Sequence, residues 1–301
     1  MTPTVRDVVA ALDAAYPPVL AESWDAVGLV CGDPAEPVRR VLIAVDPVAE
    51  TVDEAVAAGA QLLVTHHPLL LRGVHGVPTS DPKGALVHRL IRAGTALFCA
   101  HTNADSADPG VSDALAAALG VTVTGPLAPR PVEALHATHP YQQPAYDLHE
   151  QAKLPASTGL GRVGELPAVE SLREFTARVA RALPATSWGV RAAGDPDRPV
   201  RRVAVCGGAG DSLLATVSSA GVDAYVTADL RHHPVSEHLA AGGPALVDVA
   251  HWAGEWPWCA QAESVIGEAF AGTVDVSVSH LRTDPWTVGA AESRGGLRGA
   301  R

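Results

Sequence analysis

Thirteen histidines stand in the chain, and several fall in tight groups at His66-His67, His101, His232-His233 and His251. In VTHHPLLL the His66-His67 pair follows a short apolar run. Two adjacent imidazoles leave a strand end in different directions, so they suit two neighbouring metal ions better than they chelate one. Taken in isolation, such a pair also reads as capping or core histidines. Two further segments argue against isolation: His101-Thr-Asn-Ala-Asp105 and His251-Trp-Ala-Gly-Glu255. Each sets an imidazole and a carboxylate four residues apart, on one face of a helical turn. Neutral imidazole nitrogen together with a carboxylate able to span two ions suits a pair of divalent metals such as Zn, Fe or Mn. Asp105 stands too early to cap the helix that Ser112 and Asp113 begin, and Glu255 among tryptophans does not read as a solvated surface acid.

The elements that must carry these residues alternate. Val41 to Val45 (VLIAV), Leu62 to Thr65 (LLVT) and Ala96 to Ala100 (ALFCA) read as short buried strands. Between them Val48 to Ala58, closed by Gly59, and Gly84 to Ala93, closed by Gly94, have helical spacing. The order recurs in Arg201 to Cys206 as strand, Ser212 to Ala220 as helix, then Ala224 to Thr227 and Ala245 to Asp248 as strands. Arg39-Arg40-Val41 falls on Arg201-Arg202-Val203, Ala58-Gly59 on Ala220-Gly221, and Val64-Thr65 on Val226-Thr227, all at one offset. Ala100-His101 likewise falls on Ala250-His251, and Asp105 on Glu255.

The expectation is an α/β fold of two related α/β units produced by an internal duplication, each built round a mostly parallel sheet. Functional groups of such sheets gather at the carboxyl ends of strands, and both units contribute candidates, so the metal site is expected at their junction. The units are expected at 1–125 and 165–288, the second returning to the site at its C-terminal part. A Pro-, Gly- and His-rich linker holding the remnant of an inserted element is expected at 126–164, and a disordered tail at 289–301. Ser171 to Leu183 is an amphipathic helix leading into the second unit.

Composition narrows the function classes. Lys plus Arg number 22 against 33 Asp plus Glu, a net charge of −11, so a nucleic-acid partner is not expected. A hydrophobic share of 47% over 301 residues excludes a disordered chain and permits a large core. Cys31, Cys99, Cys206 and Cys259 form no C-x-x-C pair, which points to a reducing cytosol and not to a zinc ribbon or a disulfide framework. The first sixteen residues read as a helix and not as a signal peptide, and no apolar run reaches bilayer length. A cytoplasmic protein without a membrane partner is expected. Gly207-Gly208-Ala209-Gly210 has amides that could cradle a phosphate but lacks the Lys-Ser/Thr of a P-loop, and reads as a tight strand-to-helix turn.

Together VTHHPLLLRG, HTNADSADPGVSDALAAALG, GLGRVGEL, VTADLRHH and VDVAHWAGEWPW resemble the dinuclear-metal hexamer family of Nif-three-like proteins, also called GTP cyclohydrolase I type 2 homologues. The resemblance runs from about residue 4 to Asp284-Pro285-Trp286. It implies two divalent ions per chain, held by His66, His67, Asp105, His251 and Glu255, with His101 beside the metals as an orienting or substrate residue. It also implies a homohexamer enclosing a cavity. His232 and His233 in TADLRHH become substrate-contact candidates, with an exposed helix flank before Pro234 as the open alternative. Arg231 and Arg282, with Arg72, flank the strand-end motifs and are read as a lining for anionic small molecules, although solvation is the ordinary fate of an arginine.

Two departures accompany the resemblance. HPYQQPAYDLHE, at 139–150, looks like the closing stretch of a small inserted domain otherwise absent, and Trp252, Trp256 and Trp258 crowd the last ligands, narrowing the pocket or offering a planar ring a stacking surface. The expected function is a dinuclear metal-dependent hydrolase. Five protein ligands leave positions for water, which two ions acidify toward neutrality for attack on a nucleotide-like or phosphorylated small molecule. The alternative from another class is a metal-binding regulatory or scaffold hexamer without turnover. No general acid is legible in the sequence.

Overall fold

The computed structural model of the chain describes residues 2–130 and 156–289. The HPYQQPAYDLHE segment and the tail beyond residue 289 lie outside the described residues.

Two sheets form the frame. In the first, β2 (Arg40–Ala44), β3 (Leu62–Thr65) and β4 (Ala96–Cys99) run parallel. β1 (Gly28–Cys31) lies antiparallel on the β4 edge, and β11 (Asp275–Val278) parallel on the β2 edge. In the second, β8 (Pro199–Ala209), β9 (Ala224–Ala228) and β10 (Ala245–Val249) run parallel, with β7 (Val190–Ala193) antiparallel on the β10 edge. The order β1-β4-β3-β2 thus repeats as β7-β10-β9-β8. The pairing repeats in register: Val41 opposes Leu62 as Val203 opposes Ala224, residue for residue of the sequence repeat.

A hydrogen-bond device repeats as well. Gln61 Oε1 accepts the amides of Arg39 and Arg40 at 2.8 and 3.0 Å. Asp223, its counterpart, accepts those of Arg201 and Arg202 through Oδ2 at 2.9 and 2.8 Å. Different side chains thus serve one backbone need, to satisfy the amides where the strand begins. The two-sheet architecture is consistent with an internal duplication.

Alternation along each parallel strand sorts its side chains into layers. Val41 and Ile43 face a central core shared with Val203, Val205 and Val226 of the second sheet, whereas Leu42 and Ala44 face α2 (Ala49–Ala57) and α3 (Pro82–Ala93) outside. On the far side of the second sheet, Ala204, Tyr225 and Leu246 pack on Val217 of α7 (Leu214–Ser219) and on Val235 of α8 (His232–Ala240). The middle layer holds α1 (Val5–Ala15), which buries Val5, Val8 and Leu12. It also holds α5 (Val111–Ala118) and α10 (Pro257–Ala269). Thr4 and Asp7 close the start of α1 by reciprocal capping; Ser171 and Glu174 do the same for α6 (Leu172–Ala182), at the helix read from the sequence.

The stretch read as a linker is framed by strands. β5 (Thr122–Pro129) and β6 (Gly159–Ser171) pair antiparallel, Pro126 opposite Arg162, and extend the second sheet beyond β8. Residues 122–125, assigned to the first unit, thus begin a strand of the second sheet. The prolines of β5 lie on an edge strand, where a missing amide is tolerated. Gly164 is required by a close approach, since a Cβ there would meet the Thr122 carbonyl at 2.3 Å. Proline and glycine at such positions erase the alternation by which a strand is recognised. The C-terminal part of the chain crosses back in turn, giving β11 to the first sheet.

Arg162, only 2% exposed, ties β6 to the middle layer. Its Nε donates to Asp113 Oδ1 at 2.8 Å, and its guanidinium also reaches the carbonyls of Ala107, Gly159 and Gly161. Each donor faces an acceptor, the condition under which a cation tolerates burial. All four cysteines are free thiols, as their spacing implied. Among the described residues no helix is long and apolar enough to cross a membrane.

Candidate metal centre

The candidate ligands stand at the carboxyl ends of three parallel strands. His66 and His67 continue β3, their amides donating to Ala44 and Val45. His101 caps α4 (Thr102–Ser106), which follows β4 and carries Asp105; α9 (His251–Glu255) follows β10 in the equivalent place. The two sheets face each other across this point, so both halves of the repeat deliver their donors to one centre.

Glu255, 3% exposed, is the hub. Its Oε1 lies 3.0 Å from His251 Nε2 and 3.5 Å from His66 Nε2, and its Oε2 lies 3.0 Å from His67 Nε2. Asp105 Oδ1 stands 3.8 Å from His66 Nε2. Two overlapping donor groups result, each with ligand atoms within 4.8 Å of one another: His66, His67 and His101, and His67, His251 and Glu255. The structure thus brings His101 into the donor cluster, closer than an orienting role beside the metals implied.

The outer nitrogens show what the inner ones are for. His66 Nδ1 donates to the Ala100 carbonyl at 2.9 Å, and His67 Nδ1 to Asp46 Oδ1 at 2.6 Å. His101 Nδ1 donates to Asp25 Oδ1 at 2.9 Å, and His251 Nδ1 to Asp229 Oδ2 at 2.7 Å. Carbonyls and carboxylates only accept, so each Nδ1 carries the proton and a neutral ring turns an Nε2 lone pair away from its partner. Such lone pairs beside carboxylate oxygens repel unless a cation lies among them. Two buried atoms without a hydrogen-bond partner, His66 Nε2 and Glu255 Oε2, stand at this point. The donor set therefore fits divalent metal, with oriented imidazoles and carboxylates of the kind that surround such sites.

The electrostatics agree. The charge of Glu255, with the Asp229 hydrogen bond, raises His251 to about 11 against the opposing effect of burial. His67 is raised to about 10, burial being outweighed by the charge of Glu255 and the bond to Asp46. Glu255 is pulled well below its ordinary range because His67, His251 and His66 overcome its own burial. Burial raises Asp105. The carboxylates around His67 and His251 thus favour positive charge at those two rings.

Asp46, Asp25 and Asp229 were not singled out from the sequence. A signal was present for two of them: Asp46 and Asp229 also follow strand ends, those of β2 and β9. By the sequence repeat Asp229 occupies the place of His67, so one half uses that position for a ligand and the other for a ligand's support. Asp229 adopts a left-handed backbone, φ 57°, strain that aims its carboxylate at His251. Replacing Asp46 by Ala is expected to weaken metal retention 10–100-fold, as loss of such outer partners does, with the circular dichroism spectrum unchanged. Competition against a chelator measures this, and wild-type retention would contradict the assigned role of Asp46.

Other expectations change place. The Gly207–Gly210 run, read as a tight strand-to-helix turn, ends β8 ahead of the helical turn at Asp211 and lies against the centre. β8 is irregular between Val205 and Ala209, and a Cβ on Gly208 would sit 2.4 Å from Glu255 Oε1. Glycine is needed there because the carboxylate occupies the space of a side chain. Arg231 lies away from the centre, exposed and bonded to Asp211 at 2.6 Å. His232 and His233 are exposed and pack edge-on against each other, the surface flank of α8. Arg282 is exposed, and its charge only partly offsets the burial that raises the Asp284 carboxyl. Neither Arg72, Arg231 nor Arg282 lines the two cavities that open on the metal centre. One cavity, about 570 Å³, is bounded by His67, His251, Lys83, Trp188, Asp284 and Trp286. The other, about 360 Å³, is bounded by Trp24, Asp105, Gly208 and Glu255. Of the three tryptophans expected at the pocket, Trp252 lines the larger cavity, while Trp258 packs against His66 at 5.3 Å between ring centres. Trp256 donates its indole N–H to the Ser279 carbonyl at 3.1 Å.

Comparison with known proteins gives a consistent result. The Duf34/NIF3 (NGG1p interacting factor 3) family matches residues 3–285. A Streptomyces coelicolor protein named GTP cyclohydrolase 1 type 2 homolog is 52% identical over 295 residues, covering 97% of this chain and 96% of the relative. The Mycobacterium tuberculosis protein of that name is 45% identical over 372 aligned residues, covering 96% of this chain and 98% of its own. That alignment exceeds the 301 residues of the chain, so the mycobacterial relative carries segments missing here. Among solved structures, a Bacillus cereus protein related to NIF3 superposes with a TM-score of 0.82 at 27% identity, covering 95% of this chain and 99% of that one.

Proposed function

The chain belongs to the Duf34/NIF3 family, and on that footing we propose that it is a dinuclear metal-dependent hydrolase acting on a nucleotide-like or phosphorylated small molecule. The observation that carries this reading is the pair of donor groups sharing His67, with buried His66 Nε2 and Glu255 Oε2 lacking partners between two open cavities. His66, His67, Asp105, His251 and Glu255, with His101 in reach, would hold two divalent ions, Zn, Fe or Mn by donor type. When bound, such ions polarise a phosphoryl or ring carbon–nitrogen centre and acidify water.

The chain's own residues do the rest. Asp46, Asp25, Asp229 and the Ala100 carbonyl fix the imidazoles in one tautomer, and burial of Glu255 holds its carboxylate between the rings. The cavities admit substrate from either side of the cluster. The name shared by the relatives makes GTP the first substrate to try. The reading places the protein in the cytoplasm, where four free thiols persist, as the homohexamer that the family resemblance implies.

Metal-reconstituted protein incubated with GTP and with a panel of phosphoesters tests the activity. Product that disappears on chelation supports the hydrolase. A fully metal-loaded protein inert toward all of them leaves the regulatory or scaffold reading. Light scattering tests assembly: a monomer mass persisting with metal present removes the hexamer.

A further inference from the structure

We propose that the free edge of β7 is a docking site for an extended segment of a partner protein in which apolar and acidic residues alternate, added to the second sheet as a further strand. None of the donors of the metal centre lines this surface, so the inference stands apart from the hydrolase reading.

The edge itself is the first observation. β7 ends the second sheet, pairing with β10 on one side and with no other strand among the described residues. An edge left in this way presents backbone N–H and C=O groups to any chain able to pair with them, and folded proteins ordinarily spoil such edges with proline, a bulge or an inward charge. Two other edges of this fold are spoiled: β5 carries Pro126 and Pro129, and β1 slips register between Leu29 and Cys31. β7 has neither device. It matches β10 residue for residue from Val190 to Ala193, and its Arg191 and Ala192 are exposed.

A groove on each face of that edge is the second observation. Val190, which packs on the central core, bounds with Thr176, Ala177 and Ala180 of α6 a cavity of about 350 Å³. Ala193 faces the outer core and bounds with Leu230, Val235 and Leu239 a cavity of about 410 Å³ on the α8 side. Successive side chains of an added strand point to opposite faces, so they would enter the two grooves in turn, which is how strand addition reads a sequence.

Charge selects the occupant. Arg191, Arg231 and His232 border the groove on the α8 side, and Arg173 borders the one on the α6 side. Among the described residues lining either groove Asp248 is the one carboxylate, and it is 4% exposed, held by Arg191 at 2.7 Å and by the Leu230 amide. The linings thus carry an excess of positive charge on a chain whose net charge is −11. That excess attracts an acidic strand and disfavours a second β7, which would bring another Arg191 alongside the first. The small side chains of Ala177 and Ala180 leave room for the apolar members of the alternation.

Fluorescence anisotropy of labelled acetyl-Val-Glu-Val-Glu-Val-Glu-amide, titrated with the metal-loaded full chain, tests this. At low salt the peptide is expected to bind at least about tenfold tighter than its Lys-for-Glu counterpart, and added salt should weaken it. N-methylation of alternate peptide amides separates a paired strand from a loosely held acidic chain. One methylated set should abolish binding and the other leave it nearly unchanged, because only one set faces the β7 edge. Ala192→Lys should weaken binding about tenfold or more with an unchanged circular dichroism spectrum, and Arg231→Glu should erase most of the preference for Glu over Lys. Equal affinity for the two peptides, or equal effects of the two methylated sets, overturns the proposal. Self-association that Ala192→Lys abolishes and the peptide does not displace would overturn it as well, by placing a second copy on the edge.

Discussion

Glu255→Gln is expected to leave a folded chain that retains at most one divalent ion and has lost any hydrolytic rate by about a hundredfold or more. The carboxylate touches three imidazoles, two through Oε1 and one through Oε2. His67 is the member common to both donor groups, and the Glu255 carboxylate contacts imidazoles of each. Glutamine preserves the volume and one oxygen, so packing against Gly208 survives, while the charge that draws cations inward is gone. In metal-free protein the same change removes the counter-charge of His67 and His251, and their pKa values should fall toward the ordinary range. Elemental analysis after reconstitution, with circular dichroism to establish folding, decides the matter. Retention of two ions at wild-type affinity would show that Glu255 is not the shared ligand.

Metal binding should weaken steeply as the solution is acidified, about tenfold per pH unit for each proton displaced. Without metal, His67 and His251 are raised to about 10 and about 11, so the folded chain holds protons where the ions would sit. The stability of the metal-free chain follows with a definite sign. A raised histidine contributes fully below its ordinary 6.5, and that contribution is lost as pH rises toward the folded value. Glu255, lowered well below 4.5, contributes above that value and loses its contribution as pH falls through its folded pKa. Metal-free protein should therefore be most stable in mildly acid solution. The gap in Tm between metal-loaded and chelator-treated protein should widen from pH 6 to pH 9. An equal gap at both would mean that metal does not replace protons at these imidazoles.

The sequence by itself determined the features that short-range spacing encodes. His101 with Asp105, and His251 with Glu255, are one helical turn apart, and His66-His67 ends an uninterrupted apolar strand; these patterns are local, and the fold preserves them. The repeat was legible for the same reason, since each half must satisfy the same strand-helix-strand geometry with its own residues. Tertiary structure alone decided the partners: Asp46 meets His67 across 21 positions of sequence, Asp229 meets His251 across 22, and Asp25 meets His101 across 76. Those pairs exist because strands distant in sequence lie side by side, which no local periodicity records. The same holds for Arg231, whose sequence neighbours suggested a pocket while the fold gave it Asp211, and for β5 and β6, whose proline and glycine hid a ladder that only backbone proximity reveals. Donor types are written into the chain residue by residue, whereas the charge around each donor is set by whichever strands the core packs together.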